Sequence, residues 1–400
     1  MADLFTLDDL DLAGLRGKRI FVRVDFNVPL AEDGTVGDTT RLEEALPTLR
    51  ELIRAGAVVV LASHLGRPKG KRDPRYSLRP VAGVLASLLR CPVRFAEDCV
   101  GPEVEALVRT LGAGDVVLLE NLRFHAQEEK NDPAFADQLA ALADAYVDDA
   151  FGAAHRAHAS VVGVPERLRA KAAGRLLARE VAALGRLLGE PERPFAALLG
   201  GAKIEGKIDT LENLLPRLDL LLLGGGMANT FLAARGYGLG ASLFEPDRVG
   251  LAKEILARAE ARGIEVVLPV DVVVTDDLDR PTRTETVAAD AIPAGLKAVD
   301  VGPETRRAFA AAIGRARTLF WNGPLGVFEK PPFAAGTRAV AEALAGCPGF
   351  SVIGGGETVA AVKAAGVAGR IGHVSTGGGA SLELLAGKVL PGVAVLEKGR

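Results

Sequence analysis

Four stretches in the first half of this sequence carry residue types that capture small anions. Asp25 and Asn27, His64 and Arg67, Asn121 and Arg123, and His155, Arg156 and His158 each stand just past a run that reads as a β-strand. In an open parallel sheet, ligands bind beyond the carboxyl ends of the strands, and arginine grips carboxylates and phosphates with a planar fork of donors. Any one of these side chains could equally serve its own salt bridge or helix cap. Their recurrence at successive strand ends favours a small, multiply anionic substrate.

The second half offers glycine loops instead. Phe195 to Leu199 reads as a buried strand turned by Gly200 and Gly201. A helix is expected next, with Lys203 and Lys207 four apart on one face, where both ammonium groups can address one anion near its N-terminus; an ordinary βα turn with two solvated lysines fits this stretch equally. Gly201, Gly206 and Lys207 satisfy most of a Walker A pattern, but Ile208 stands where Ser or Thr would ligate magnesium. A second glycine turn, Gly354-Gly355-Gly356, precedes Glu357 and Thr358. Its backbone N–H groups suit a phosphate chain, and Glu357 stands where a carboxylate could hold Mg2+. It is equally an ordinary first helical turn. Trp321 to Pro324 and Ser375 to Gly379 are weaker loops of the same kind. Gly236 to Ala241 matches a loose dinucleotide pattern, but it follows a helix-like segment and reads as a loop. No Ser-His-Asp elbow is visible, and no Cys or carboxylate motif completes a metal set around His155 and His158.

The elements that position these loops follow from apolar periodicity. Strands are expected at Arg19 to Asp25, Ala57 to Ala62, Asp115 to Leu119 and Ala145 to Val147, and helices before Gly56 and over Pro80 to Leu89. The first helix begins either near Arg41, with a kink, or at Pro47. Leu177, Val181, Leu184 and Leu188 set a helix over Ala172 to Leu188 that Gly189, Pro191 and Pro194 end. Strands then recur at Leu218 to Leu223, Val266 to Val274, Thr318 to Trp321 and Phe350 to Ile353. The fold class is α/β, with two parallel sheets flanked by helices and joined by a hinge helix.

Four hundred residues exceed one core, and 48% apolar content argues against disorder. A net charge of −3 gives no global attraction to nucleic acid or acidic membranes. Cys91, Cys99 and Cys347 lack metal-ligand spacing and form an odd set, which suits a reducing compartment. The acidic N-terminus and the lack of a bilayer-length apolar run read as a soluble intracellular protein.

VRVDFNVP (22–29), SHLGRP (63–68), ENLRFH (120–125), DAFGAAHRAHAS (149–160), LGGAK (199–203), GGGMA (224–228), WNGPLGVFE (321–329) and STGGGASLELL (375–385) together resemble the phosphoglycerate kinases, in order along essentially the whole chain. The resemblance implies a cytoplasmic, monomeric, hinge-bending enzyme that moves a phosphoryl group between 1,3-bisphosphoglycerate and ADP. It implies a phosphoglycerate-binding domain over 1–171, a hinge over 172–190 and a nucleotide domain over 191–386, with the tail from about 387 returning to the first. Asp25, Phe26, Asn27, Arg41, His64, Leu65, Gly66, Arg67, Arg123 and Arg156 would bind phosphoglycerate. Arg41, Lys203 and Gly356 would act on the group in flight. Gly201, Lys203, Lys207, Gly224, Gly225, Asn322, Pro324, Glu329, Gly355, Gly356, Glu357 and Thr358 would hold the nucleotide, with Glu357 on Mg2+. The family commonly has Asp at that last position, and the longer Glu would ligate through another rotamer or a water.

Two rivals differ in kind. A NAD-dependent dehydrogenase would need a strand-borne G-x-G-x-x-G with an acidic residue about 20 positions on, and neither stands in context. A non-catalytic nucleotide-binding scaffold would not require Arg41 or Lys203, yet both are present.

Overall fold

Residues 3–399 are described by the structure, a computed structural model. Strands β1 (Arg19–Val24), β2 (Val58–Ala62), β3 (Val93–Phe95), β4 (Val116–Leu118), β5 (Ala145–Asp149) and β6 (Ala170–Ala173) pair in parallel in the order β3-β4-β2-β1-β5-β6. Helices cover both faces, so β1, β2 and β5 read as nearly continuous apolar runs rather than alternating ones. Ile20, Val22, Val24, Val59, Leu61 and Val147 form one core with Leu42, Leu49 and Leu52 of the helix Thr40–Arg54. The charged exceptions, Arg23, Asp148 and Asp149, lie near the carboxyl ends and are buried. This unit runs to Ala182 and takes up the chain again from Val389. Its two ends meet through Phe5 N–H to Leu396 O (2.9 Å) and Lys398 N–H to Asp3 O (2.8 Å).

The second unit, Ala183–Lys388, holds two sheets. Strands β7 (Phe195–Leu199), β8 (Leu220–Leu223), β9 (Glu265–Val267), β10 (Asp271–Thr275), β11 (Thr284–Ala288), β12 (Lys297–Val301), β13 (Thr318–Asn322), β14 (Phe350–Gly354) and β15 (His373–Val374) follow in sequence. The larger sheet is parallel, ordered β15-β14-β13-β7-β8-β9; the smaller is antiparallel, ordered β11-β10-β12. From β7 the chain works outward to β9, and from β13 outward to β15 on the other side. The crevice at this reversal opens beyond the carboxyl ends of β7 and β13, where such sheets bind ligands.

Two elements differ from the sequence expectations, and a third decides between the two helix starts left open there. Val266 to Val274 is two strands in different sheets, because Pro269 lacks an N–H for the ladder. The helix expected from Ala172 begins at Arg175; Ala170–Ala173 instead pairs along β5, where unpaired backbone groups needed partners. The first helix starts at Thr40 and tolerates Pro47 inside, its apolar stripe outweighing one lost hydrogen bond.

Asp149 starts the helix Arg175–Leu188 by accepting the N–H groups of Leu176 (2.8 Å) and Leu177 (3.2 Å). Burial pushes its carboxyl up from 3.8 to about 7. The folded value lies above the unfolded one, so the folded chain binds more protons between these limits. Stability therefore falls as pH rises through that window, and the loss is complete above it. Asp149→Asn keeps the capping oxygen and should flatten this decline, measured by urea unfolding with amide exchange in β1 and β5 across pH. An equally steep decline in the variant would refute the assignment.

Candidate active site

The loops after β1, β2 and β4, with the segment after β5, converge on a cationic patch within the first unit. Its centre is Arg23, fully buried on β1. Nε donates to Ser160 Oγ (2.9 Å), one terminal nitrogen donates to Val24 O, and the other lies 3.1 Å from His64 Nδ1. Arg41 pairs with Asp25 at 2.6 Å. Asn27 Oδ1 accepts Gly66 N–H (2.9 Å), and Arg123 donates to Gly66 O (2.9 Å), so two loops are fixed around one glycine. Arg123 Nε lies 3.4 Å from Glu129 Oε1 without hydrogen-bond geometry. Asn121 ties the loop down by donating to Leu65 O (2.7 Å) and Tyr76 O (2.9 Å).

The field here is positive. Burial, then Arg23, Arg123, Arg41 and His158, hold His64 well below the usual imidazole value. Burial, then Arg23, Arg123, Arg156 and His155, push His158 down to about 3. Arg67 and Arg156 are exposed at the rim. Phe26 and Leu65 are buried, and their contribution is to pack the loops rather than to present a polar group.

Sequence reasoning passed over Arg23, Ser160 and Glu128. The signal for Arg23 was a charge inside an otherwise apolar parallel strand, where only a paired cation is tolerated. Ser160 and Glu128 carried no such mark.

In the second unit the crevice between β7 and β13 is lined with backbone. Gly200 N–H donates to Asn322 O (2.9 Å) and Gly201 N–H to Pro324 O (2.7 Å), drawing the two loops together. Gly225 has φ +64°, and a Cβ there would stand 2.6 Å from Gly201 O. Gly224 opens onto the helix Gly225–Ala234, and Gly355 onto the helix Gly356–Ala364, so two helix N-termini face this edge. Asn322 donates to Gly354 O (2.8 Å), and Thr358 Oγ1 accepts Gly323 N–H (2.7 Å). A cleft of about 280 Å³ opens beside them, lined in part by Gly201, Gly225, Leu243, Pro324, Glu329 and Glu357.

Lys203 and Lys207 do not share a helical face, contrary to expectation. Residues 201–207 form a loop, and the helix begins at Ile208. Gly201 (φ +92°) and Gly206 (φ +74°) hold left-handed conformations, while buried Ile204 is anchored by its N–H on Glu245 Oε2 (2.5 Å). Lys203 is exposed. Lys207 is part-buried with Nζ on Gly200 O, and burial lowers its ammonium to about 8 against the pull of Glu357. Leu243, Lys297 and Asp300 also line the cleft. They escaped sequence reasoning: Lys297 and Asp300 belong to the antiparallel sheet it did not anticipate, and Leu243 to a loop without a motif.

A family model described as phosphoglycerate kinase matches residues 7–388. Phosphoglycerate kinases of Desulforudis audaxviator and Moorella thermoacetica are each 57% identical over 392 and 391 residues, covering 98% of this chain and of theirs. Among solved structures, the phosphoglycerate kinase of Coxiella burnetii is similar with a TM-score of 0.88 at 39% identity. That of Pyrococcus horikoshii gives 0.84 at 34%, and each match covers 98% of both chains.

Gly323 sits at φ +96°, and a Cβ would meet Gly200 O at 2.3 Å. Gly323→Ala should destabilise the second unit by about 1–3 kcal/mol from backbone strain. Urea unfolding followed by the fluorescence of Trp321, the single tryptophan, reads this directly. An unchanged midpoint would mean that the crevice is not held as tightly as its contacts imply.

Proposed function

Because the chain belongs to the phosphoglycerate kinase family, we propose that its basic patch and its glycine crevice hold the two substrates of one phosphoryl transfer. The reaction is reversible: 1,3-bisphosphoglycerate and ADP give 3-phosphoglycerate and ATP. The observation that supports the division of labour is the opposite character of the two strand-end edges. One carries Arg41, Arg123, Arg156 and His64; the other carries glycine amides and two helix N-termini.

In one direction the acceptor is an ADP phosphate oxygen and in the other an ionised carboxylate, so no general base is needed. Catalysis then rests on alignment and on neutralising the phosphoryl oxygens. Asp25, Phe26, Asn27, His64, Leu65, Gly66, Arg67, Arg123 and Arg156 form the phosphoglycerate site. Arg41 reaches from it to the transferring group. Lys203 and the Gly356 amide stabilise that group in flight. Gly201, Lys207, Gly224, Gly225, Asn322, Pro324, Glu329, Gly355 and Thr358 line the nucleotide site. With the two sites on different units, transfer requires closure, which also excludes water.

Glu357 would hold Mg2+. Its carboxylate is exposed in the first turn of the helix Gly356–Ala364, lines the crevice, and supplies the hard oxygen donor this ion prefers. The ion, when bound, supplies charge neutralisation on the nucleotide phosphates. A cytosolic monomer acting on small molecules, with no nucleic-acid partner, accords with the net charge of −3.

ATP consumption with 3-phosphoglycerate, coupled through glyceraldehyde-3-phosphate dehydrogenase to NADH oxidation, should report activity. Nucleotide binding without turnover would favour the scaffold reading. Arg41→Ala should lower kcat by about 10²–10³, the scale for losing one transition-state donor, with KM changed far less. A raised KM at unchanged kcat would contradict that role. Glu357→Ala should need more magnesium for half-maximal rate; indifference to the titration would send the metal to another ligand.

A further inference from the structure

Beneath the basic patch runs a chain of hydrogen bonds whose directions are all fixed by one residue. A guanidinium has only donors and stays protonated. Arg23 Nε must therefore donate to Ser160 Oγ (2.9 Å), and its terminal nitrogen must donate to His64 Nδ1 (3.1 Å). Ser160 Oγ, already accepting from Arg23, sends its own hydrogen to Glu128 Oε1 at 2.5 Å. Ser160 N–H donates to the other oxygen, Glu128 Oε2, at 3.0 Å. Glu128 is fully buried on the short helix Ala126–Glu129 and ends the chain as a pure acceptor. Tyr146 OH donates to Ser160 O (3.0 Å) and fixes the serine from the other side.

The imidazole inherits this order. Its Nδ1 is occupied as an acceptor, so a neutral His64 carries its hydrogen on Nε2. The groups around it, Arg23, Arg123, Arg41 and His158, oppose a second proton. We propose that Glu128 is a positioning residue: through Ser160 it holds the Arg23 guanidinium in the orientation from which Arg23 donates to His64 Nδ1, and so keeps His64 as the neutral Nε2–H tautomer, a directed donor for the anionic substrate. This rests on the basic patch being the phosphoglycerate site. A patch of arginines supplies charge, which is strong but tolerant of orientation, whereas a locked imidazole N–H adds a fixed direction. The alternative role for Glu128 is to balance the buried Arg23 charge and nothing more; that role would leave the imidazole indifferent to the link.

The test is a long-range proton–nitrogen spectrum of the full chain with labelled histidine, His64 being assigned by its absence in His64→Gln. The unliganded parent should show neutral Nε2–H from mildly acidic pH upward. A protonated or Nδ1–H ring in that spectrum overturns the proposal without any variant. Ser160→Ala removes the link and Glu128→Gln places an amide donor against a donor of Ser160. Either, folded by circular dichroism, should give a mixture of His64 tautomers. Each should also raise KM for 3-phosphoglycerate about tenfold, the scale of one charge-assisted hydrogen bond, with a much smaller change in kcat. A variant with an unaltered His64 spectrum and KM reduces Glu128 to charge balance and overturns the positioning role. Adding 3-phosphoglycerate to the parent should shift the His64 signals. No shift, with the expected tautomer intact, overturns the site assignment separately, and the positioning role with it.

Discussion

Parallel pairing is the constraint on which both halves of this molecule depend. A parallel strand cannot be followed directly by its neighbour, so the chain returns through a crossover and every strand delivers its carboxyl end to one edge. In the first unit that rule brings the segments after β1, β2, β4 and β5 together, although Asp25 and Arg156 are far apart in sequence. In the second it opens a crevice where β7 and β13 lead the chain in opposite directions. The helices on both faces keep the strands apolar, which leaves chemistry to the loops.

The exceptions to that apolarity are informative. Arg23 is a cation inside a core strand, and the low polarity around it makes an unpaired charge there untenable. Its hydrogen bonds to Ser160, Val24 and His64, with the Glu128 carboxylate one serine beyond, are the compensation. The same burial that demands these partners also gives them direction, because a guanidinium can only donate. One cation inside the core thus orders the groups of the basic patch at its edge. In the second unit the equivalent ordering is done by main chain, with Gly200, Gly225 and Gly323 packed against backbone too closely for any Cβ. A cradle of backbone amides needs that closeness.

The residues of the candidate site were legible because they sit in short segments whose type and spacing survive without the fold. Arg41, His64, Arg67 and Arg123 announce an anion, and Gly354 to Thr358 announce a helix N-terminus. Less legible were contacts made across the sheet. Nothing local links Arg23 to Ser160, 137 positions away, or Glu128 to either. The lysine pair shows a further limit. Four-residue spacing suits a helical face, but Gly201 and Gly206 can take left-handed conformations, and the burial of Ile204 decided which path the loop took.

By itself, then, the sequence determined the α/β class, the strand-end loops and the family, since these depend on periodicity and on side-chain chemistry that each segment carries alone. Only the tertiary structure decided that Ala170–Ala173 is a strand, that Pro269 divides two sheets, that Lys207 lies on Gly200 O, and that His64 faces Arg23 through Nδ1. Each depends on free energy gained against residues distant in the chain. Edge pairing, burial and the satisfaction of a buried charge exist only once the partners have been brought together.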